Sequence, residues 1–305
     1  MFILSLRELA ILGCGSQQHT RERNHNAYLL RWKTEGFLFD PGEATQRQFI
    51  FAKIAPTAVT RIFVSHFHGD HCLGLGAMIL RLNLDKVPHP VHIYYPESGK
   101  RYFDNLRYSS IYTQTITIVE HPVKVGKDMT LVDETEDFFI YGSMLNHGID
   151  CIGWRIQEKD IRKCVASELK ERGVHGPAVR TLLETGFVMT PSGRVDLDDV
   201  SYVRPGDSVA VVIDTLKCPQ AVELAKNVNL LLIESTYLDK ERDLAESYKH
   251  MTALQAAQIA KEADAKKMVL THFSARYPDQ SLFEDEAKSI FSESYAAADL
   301  KRFVF

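Results

Sequence analysis

Short apolar runs alternate with longer amphipathic stretches along most of the chain. The short runs have the length of strands, and the longer stretches repeat their apolar positions at helical spacing. This alternation is typical of layered α/β architecture, in which helices cover sheets. The predicted strands cover residues 9–12, 27–32, 36–39, 61–65, 91–95, 116–119, 138–145, 151–157, 208–213, 230–233, 267–270 and 302–305. The predicted helices cover residues 43–53, 73–83, 99–106, 219–227, 252–263 and 282–292.

Composition places this pattern among ordinary soluble globular proteins. Of the 305 residues, 45% are apolar and 25% are charged, and no apolar run is long enough to cross a membrane. The start of the chain lacks the features of a leader peptide, so it is predicted to form the first buried strand. Five cysteines without a C-x-x-C pair indicate a reducing compartment, and a cytoplasmic location is expected.

Charge along the chain predicts one unusual segment. The formal net charge of -4 argues against whole-molecule attraction to nucleic acid, so a polyanion would need a local patch. Residues 155–194 hold eight basic and five acidic side chains, and Gly173, Gly176, Pro177 and Gly186 divide them into short pieces. Composition alone favours a solvated helical hairpin, inserted between two strands of a single domain that spans residues 1–305.

The densest chemical signal is an H-x-H-x-D-H sequence directly after the apolar run at 61–65. Its members are His66, His68, Asp70 and His71. Such a cluster has little packing reason to form, whereas metal binding explains it. In extended backbone, residues two apart face the same way, so His66 and His68 can reach one ion. Asp70 and His71 follow the Gly69 turn and can reach a second ion.

Aspartate or histidine also follows several other predicted strands. Asp40, His147, Asp214 and His272 each come directly after an apolar run. Ligands of open α/β sheets bind beyond the carboxyl ends of strands, so these side chains are expected at one rim. Each has a simpler explanation when taken alone: a helix cap for Asp214, a turn for His147 and a half-buried histidine for His272. Together with the motif, they favour a metal site.

The proposed ligand set contains five imidazoles and two carboxylates. This set suits two Zn²⁺ ions per subunit, and it also suits Mn²⁺, Fe²⁺ or Co²⁺. With seven ligands for two ions, one carboxylate must bridge, and Asp214 is the candidate because it stands alone on its strand end. A pair of ions suits attack of activated water on a phosphoryl or carbonyl centre, so hydrolysis is the expected reaction.

The motif with its later His, Asp and His resembles the metallo-β-lactamase superfamily. Further segments resemble its ribonuclease Z family, the endonucleases that process the 3′ ends of tRNA. They are L-F-D-P-G-E-A-T-Q at 38–46, G-W-R-I at 153–156, D-T at 214–215 and H-F-S-A-R-Y at 272–277. The resemblance implies an α/β fold, a four-layer αββα sandwich with an inserted flexible arm at 155–205.

The resemblance assigns a role to each metal ligand. The first ion would be held by His66, His68 and His147, and the second by Asp70, His71 and His272, with Asp214 between them. Asp40 would orient a ligand imidazole from the second layer of contacts.

The same resemblance assigns the proton transfers. Asp70 is the usual candidate for general base, and His250 would protonate the departing 3′ oxygen while Glu234 orients it. Arg276 could grip the phosphate with its forked donors, although a salt bridge at the loop edge is its simpler explanation. Ser235 and Met251 depart from the usual family residues beside the proposed acid, but no departure removes a ligand.

Members of the family carry an inserted arm at the position of the basic segment, and this arm binds the body of precursor tRNA. Gly176 and Pro177 match its Gly-Pro motif, and phosphate contacts would make RNA affinity fall with salt. The candidate contacts are Lys159, Arg162, Lys163, Lys170, Arg172 and Arg180. The family also implies a homodimer, in which one subunit's arm serves the other's site.

The expected reaction is removal of the 3′ trailer from precursor tRNA, which leaves a 3′-hydroxyl for CCA addition. Two alternatives stay open. The first is a small-molecule hydrolase on the same scaffold, such as a lactonase or phosphodiesterase, and the second is a non-catalytic RNA-binding module. The arm and the H-F-S-A-R-Y segment speak against the first alternative, and the complete ligand set speaks against the second.

Overall fold

The computed structural model describes residues 7–305, which form two compact units. The larger unit contains residues 7–134, Ile140–Ile156 and Ser208–Phe305. The smaller unit contains Thr135–Phe139 and Gln157–Asp207. Residues 1–6, where the predicted buried start begins, lie outside the described residues.

A seven-stranded mixed sheet forms one half of the larger unit. Its strands are β1 (Arg7–Gly13), β2 (Ala27–Trp32), β3 (Glu35–Phe39), β4 (Arg61–Phe63), β5 (Val91–Pro96), β6 (Ile118–Val123) and β18 (Arg302–Val304). Their order is β18-β1-β2-β3-β4-β5-β6, with antiparallel pairs from β18 to β3 and parallel pairs from β3 to β6. The parallel half puts the carboxyl ends of β3 and β4 side by side.

The strands of a second seven-stranded sheet are β7 (Thr130–Glu134), β8 (Phe138–Met144), β9 (Ile152–Glu158), β14 (Ser208–Val212), β15 (Leu230–Glu234), β16 (Met268–Thr271) and β17 (Ser294–Ala296). Their order is β17-β16-β15-β14-β9-β8-β7. Strands β14 to β17 are parallel. Their carboxyl ends therefore lie at one edge, as the strand-end pattern predicts.

The larger unit also contains the helices α1 (Thr45–Ala52), α2 (Gly69–Cys72), α3 (Leu75–Leu84), α4 (Lys100–Arg107), α7 (Pro219–Ala225), α8 (Arg242–Ser247), α9 (Ala253–Glu262) and α10 (Ser281–Lys288). Several of them cover the outer faces of the two sheets. Phe49 of α1, Met78 of α3 and Phe103 of α4 share one buried apolar cluster with the first sheet, and α7 and α9 contact the second sheet. Between the sheets, the ring centroids of Phe63 and Trp154 are 5.1 Å apart. The layers therefore follow the predicted αββα order.

The smaller unit is not the simple helical hairpin that composition favours. It combines helices α5 (Ala166–Glu171) and α6 (Pro177–Thr185) with two antiparallel ribbons. The ribbons are β10 (Ile161–Cys164) with β13 (Ser201–Arg204), and β11 (Phe187–Thr190) with β12 (Gly193–Asp196). Val174, Leu182, Val195 and Val200 form a small core of their own. The hairpin prediction is wrong because so few buried positions leave little periodic signal from which strands can be read.

Within residues 7–305, no helix combines the length and the apolar character needed to cross a membrane.

Candidate metal centre

The carboxyl ends of four strands deliver aspartate and histidine to one place. Asp40 follows β3, Asp214 and His272 follow closely on β14 and β16, and His66 lies just beyond β4. Asp40, Asp214 and His272 adopt φ angles of 45°, 56° and 63°. Non-glycine residues rarely occupy this left-handed region, and such strain concentrates at functional sites. The chain thus turns sharply at each of these side chains.

The first cluster has the dimensions of a tetrahedral ion site. One ligand atom each from His66, His68, His147 and Asp214 lies within 4.8 Å of all the others. The Nδ1 atom of His68 is 3.0 Å from His66 Nε2 and 3.2 Å from His147 Nε2. Asp214 Oδ2 is 3.6 and 3.7 Å from the same two Nε2 atoms. Ligands about 2.0–2.1 Å from a tetrahedral Zn²⁺ ion lie about 3.3 Å apart, which agrees with these spacings.

The second cluster shares Asp214 with the first. Asp70 Oδ2 lies 3.2 Å from His71 Nε2 and 3.3 Å from His272 Nε2. Asp214 presents Oδ2 to His71 Nε2 at 3.2 Å and Oδ1 to His272 Nε2 at 3.1 Å. The structure therefore brings all seven predicted ligands together and puts Asp214 where a bridging carboxylate would stand.

Hydrogen bonds fix which ring nitrogen of His66 and His71 carries a proton. Ser65 Oγ donates to Asp40 Oδ2 at 2.6 Å, so it must accept from His66 Nδ1 at 2.9 Å. His71 Nδ1 donates to the same Asp40 oxygen at 2.9 Å. Both Nε2 lone pairs therefore face the cluster, the arrangement that outer carboxylates give to metal-binding histidines. Asp40 thus contacts His71 directly and His66 through Ser65, and Ser65 is a partner that the sequence did not reveal.

His147 and His272 are oriented in the same way by partners that the sequence also did not reveal. The carbonyl oxygen of Lys249 accepts from His147 Nδ1 at 3.1 Å. Thr236 Oγ1 donates to Glu234 Oε2, so it accepts from His272 Nδ1 at 2.7 Å. The Nε2 atom of each ring is left to bind an ion. A backbone carbonyl and a threonine carry no signal for this role in a single sequence.

The buried carboxylates and imidazoles at the centre favour a bound cation. Burial lowers the pKa of His66 well below its usual value, which favours the neutral ring. Burial also acts to lower the pKa of His71, but contact with Asp70 and Asp214 outweighs it and raises that pKa. Asp214 Oδ1 is buried and makes no hydrogen bond within the described residues. The two carboxylates thus draw positive charge to this place, which either a proton on His71 or a divalent metal ion supplies, and the set of imidazole and carboxylate donors fits the metal ion.

Two glycines hold the ligand-bearing turns in backbone contact. A Cβ atom on Gly74 would lie 2.0 Å from the carbonyl oxygen of Gly42, and one on Gly42 would lie 2.3 Å from that of Asp70. Neither position has room for a side chain, because backbone atoms cannot give way as a flexible side chain does. The turn after β3 and the turn at α2 are therefore set directly against each other.

His250 lies beside the two clusters and is paired with Glu234. Its Nδ1 atom is 3.1 Å from Glu234 Oε1, and one of its ring nitrogens lies within 4.8 Å of ligand atoms of Asp214 and His272. Burial lowers the pKa of His250, but Glu234 and Asp214 outweigh burial and raise it to about 9. The raised pKa favours the protonated form of His250, which suits a proton donor.

Glu234 is fully buried and held from several sides. Its carboxylate accepts from the backbone N–H groups of Thr215 at 2.6 Å and Met251 at 3.2 Å, and from Thr236 Oγ1 at 2.7 Å. Ser235 Oγ instead donates to the carbonyl oxygen of Thr271 at 3.2 Å. The two departures from the usual family residues thus leave the pair of His250 and Glu234 intact.

A cleft of about 790 Å³ opens onto the two clusters. Its lining includes His68, Asp70, His250 and Arg276. The exposed guanidinium of Arg276 lies over the ring of Tyr237, 5.2 Å from its centroid. A phosphate that entered the cleft would therefore meet the predicted ligands, the protonated His250 and an arginine together.

The candidate RNA contacts all lie in the smaller unit, and the structure shows that most of its arginines are paired. Arg162, Arg172 and Arg180 lie 2.5, 3.1 and 2.7 Å from Asp198, Asp199 and Glu184. Lys159 lies over the ring of Phe139, while Gly176 and Pro177 begin α6. Across Gln157–Asp207 the chain has eight basic and nine acidic residues, so the excess at 155–194 does not extend over the whole segment.

Comparisons with known proteins agree with this site. The family model of the metallo-beta-lactamase superfamily matches residues 20–272. Ribonuclease Z of Protochlamydia amoebophila (strain UWE25) is 57% identical over 303 residues, which are 99% of this chain and 98% of the relative. Ribonuclease Z of Chlamydia muridarum (strain MoPn / Nigg) is 54% identical over 302 residues, with the same two coverages. The crystal structure of human tRNase Z, short form, has a TM-score of 0.71 at 23% identity and covers 97% of this chain and 98% of that one.

The chain therefore belongs to the metallo-β-lactamase superfamily, which implies that it binds divalent metal. Within that superfamily it is a member of the ribonuclease Z family. The resemblance read from the sequence and the fold that it implies are both confirmed.

Replacing Asp40 with asparagine tests the outer layer of the centre. An amide has one oxygen, so it cannot accept from the Ser65 backbone and from His71 together, as the carboxylate does. We expect metal affinity to fall by about 10–100-fold, measured by competition with a chelator. The matched control is Asp104→Asn, which changes a carboxylate on the surface of α4. Equal affinities in the two variants would contradict the orienting role of Asp40.

Proposed function

We propose that this chain is a metal-dependent endoribonuclease that removes the 3′ trailer from precursor tRNA and leaves a 3′-hydroxyl. The observation that carries the proposal is the complete ligand set, brought together at one cleft in a chain 54–57% identical to proteins named ribonuclease Z. The fold alone does not choose the reaction, because structures titled as a diphosphatase and an isothiocyanate hydrolase share it. The high identity to ribonuclease Z is what favours tRNA.

Two divalent ions, Zn²⁺ by the preference of the donor set, fit the two clusters. His66, His68 and His147 would hold one, Asp70, His71 and His272 the other, and Asp214 would touch both. When bound, such a pair supplies activated water and stabilises charge on phosphoryl oxygens. The protein contributes the fixed ring orientations through Asp40, Ser65, Thr236 and the carbonyl of Lys249.

Asp70 serves in this proposal chiefly as a ligand. Burial would raise its pKa, but contact with His71 and His272 lowers that pKa far below the usual range for aspartate. A carboxylate held so firmly in its ionised form is a weak proton acceptor at neutral pH. The ligand role therefore has more support than the role of general base.

His250 supplies the proton that the departing 3′ oxygen requires. It borders the ligand clusters, it lines the cleft, and Glu234 keeps it protonated. Arg276 meets the phosphate from the edge of the cleft with planar paired donors.

The smaller unit binds the body of the tRNA. Lys163 and Lys170 make no ion pair within residues 7–305, so they are available to phosphates, whereas bound phosphate would have to replace the carboxylates that pair with Arg162, Arg172 and Arg180. The homodimer and the cytoplasmic location stay predictions that follow from the family and from cysteine usage.

Mapping the cut end is the direct test of the reaction. Purified protein incubated with a 3′-extended tRNA should release the trailer in one piece and leave a 3′-hydroxyl after the unpaired nucleotide that precedes CCA addition. A variant with Asp214 replaced by alanine should be inactive and should lose bound metal, because it removes the shared ligand. Release of single nucleotides only, or no cleavage at all, would contradict the proposal.

His250→Ala separates proton donation from metal binding. We expect cleavage of precursor tRNA to fall at least about 100-fold, because an alkoxide leaves poorly without a proton. Metal content should not change, since His250 is not among the seven ligands. Hydrolysis of bis(p-nitrophenyl) phosphate should fall much less, because nitrophenolate departs without protonation. Equal losses on both substrates would remove His250 from the role of acid.

Deleting the smaller unit tests its role in RNA binding. The backbone N–H of Glu158 donates to the carbonyl of Asp207 at 2.9 Å, so the two ends of the insertion are adjacent and residues 160–205 can be replaced by a short glycine linker. We expect loss of tRNA cleavage, with metal content and hydrolysis of the nitrophenyl diester retained. Unchanged cleavage of tRNA would show that this unit does not grip the substrate.

A further inference from the structure

A second group of metal-binding side chains lies outside the seven-ligand centre. His19 and His25 belong to the loop between β1 and β2, and Glu43 directly precedes the start of α1. One ring nitrogen of each histidine and one carboxylate oxygen of Glu43 lie within 4.8 Å of one another. The proposed mechanism uses none of the three.

His25 has the environment of a metal ligand instead of a simple packing residue. It is 6% exposed, and its Nε2 atom is 3.0 Å from the carbonyl oxygen of Gln17. A carbonyl only accepts, so Nε2 carries the proton and Nδ1 presents a lone pair. Nδ1 is buried and has no hydrogen-bond partner within the described residues. Donation of one ring N–H to a backbone carbonyl, with the other nitrogen left open, is the usual setting of a metal-bound histidine.

The remaining two side chains are held close to His25 and face solvent. The rings of His19 and His25 are stacked, with centroids 3.6 Å apart and planes at 22°. The backbone of Glu43 is tied to the loop, because Asn24 Nδ2 donates to the carbonyl of Glu43 at 2.8 Å. His19 and Glu43 are exposed, so an ion from solvent can reach both side chains.

We infer that His19, His25 and Glu43 form a separate site for one divalent transition-metal ion, of which Zn²⁺ is the best match. Two imidazoles and a carboxylate form a three-ligand set that leaves a coordination position for water or an anion. His19 also lines the cleft that opens onto the seven-ligand centre. An ion at this site would clamp the loop between β1 and β2 to the start of α1 along one edge of that cleft.

Counting bound Zn²⁺ in exposed-residue variants tests the site without an activity assay. The intact protein, dialysed against Zn²⁺ and analysed by elemental mass spectrometry, should hold one ion more than His19→Ala or Glu43→Gln. Both residues are exposed, so these variants should fold, whereas replacement of buried His25 would add a packing defect. Glu22→Gln is the matched control, because it neutralises an exposed carboxylate of the same loop and should keep the extra ion.

Cobalt provides a second readout of the same ion. Adding Co²⁺ should give the intact protein and Glu22→Gln a component of visible ligand-field absorption that both His19→Ala and Glu43→Gln lack. The same metal content and spectrum in all four proteins would overturn the site and leave His19 and His25 as a stacked pair only. Loss of the ion from Glu22→Gln as well would overturn it too, because the effect would then come from general loop charge.

Discussion

Mutual repulsion among buried lone pairs and carboxylates is the constraint on which this structure depends. His66, His71, His147 and His272 direct ring nitrogens at Asp70 and Asp214 across distances of 3.1–3.7 Å. His68 Nδ1 lies 3.0 and 3.2 Å from the Nε2 atoms of His66 and His147. Apolar packing gives no reason for such an arrangement, and a missing cation would leave several buried groups uncompensated. The outer partners make the arrangement specific, since each fixes a proton on the far nitrogen of a ring. The two sheets serve this centre by bringing the ends of β3, β4, β14 and β16 to one edge.

Much of this could be predicted from the sequence because the signals are local. A buried strand shows as an apolar run, and a ligand at its carboxyl end shows as the next charged residue, so Asp40, His66, Asp214 and His272 were all visible. The partners of the ligands were not visible, because they act over long sequence separations through groups that every protein has. The carbonyl of Lys249 binds His147 from 102 positions away, and Thr236 reaches His272 from 36 positions away. His68 directs Nδ1 at the cluster, whereas the other four histidines direct Nε2, and this difference likewise depends on the folded backbone.

The smaller unit was hard to predict for a different physical reason. With a core of Val174, Leu182, Val195 and Val200, it has too few buried positions to impose a period of two or of 3.6 on its sequence. In the larger unit, the apolar pattern does not predict the edge strands β7 and β17, because they are short and contain polar residues. The basic excess of residues 155–194 is balanced just beyond that range, where acidic residues at 196–199 pair with arginines that precede them in the chain. A local excess of basic residues therefore predicts a phosphate-binding face poorly, because acidic residues elsewhere in the folded unit pair with the same side chains.

The contact between Gly42 and Gly74 has a consequence for how such an enzyme can change over time. Because the two turns meet atom to atom, a methyl group at either position would push Asp40 away from the helix turn that carries Asp70 and His71. A displacement of that kind reaches both ligand clusters at once, because Asp40 contacts His71 directly and His66 through Ser65. Homologous chains that keep the seven ligands should therefore keep both glycines, and a chain that has lost either glycine should have abandoned the chemistry altogether.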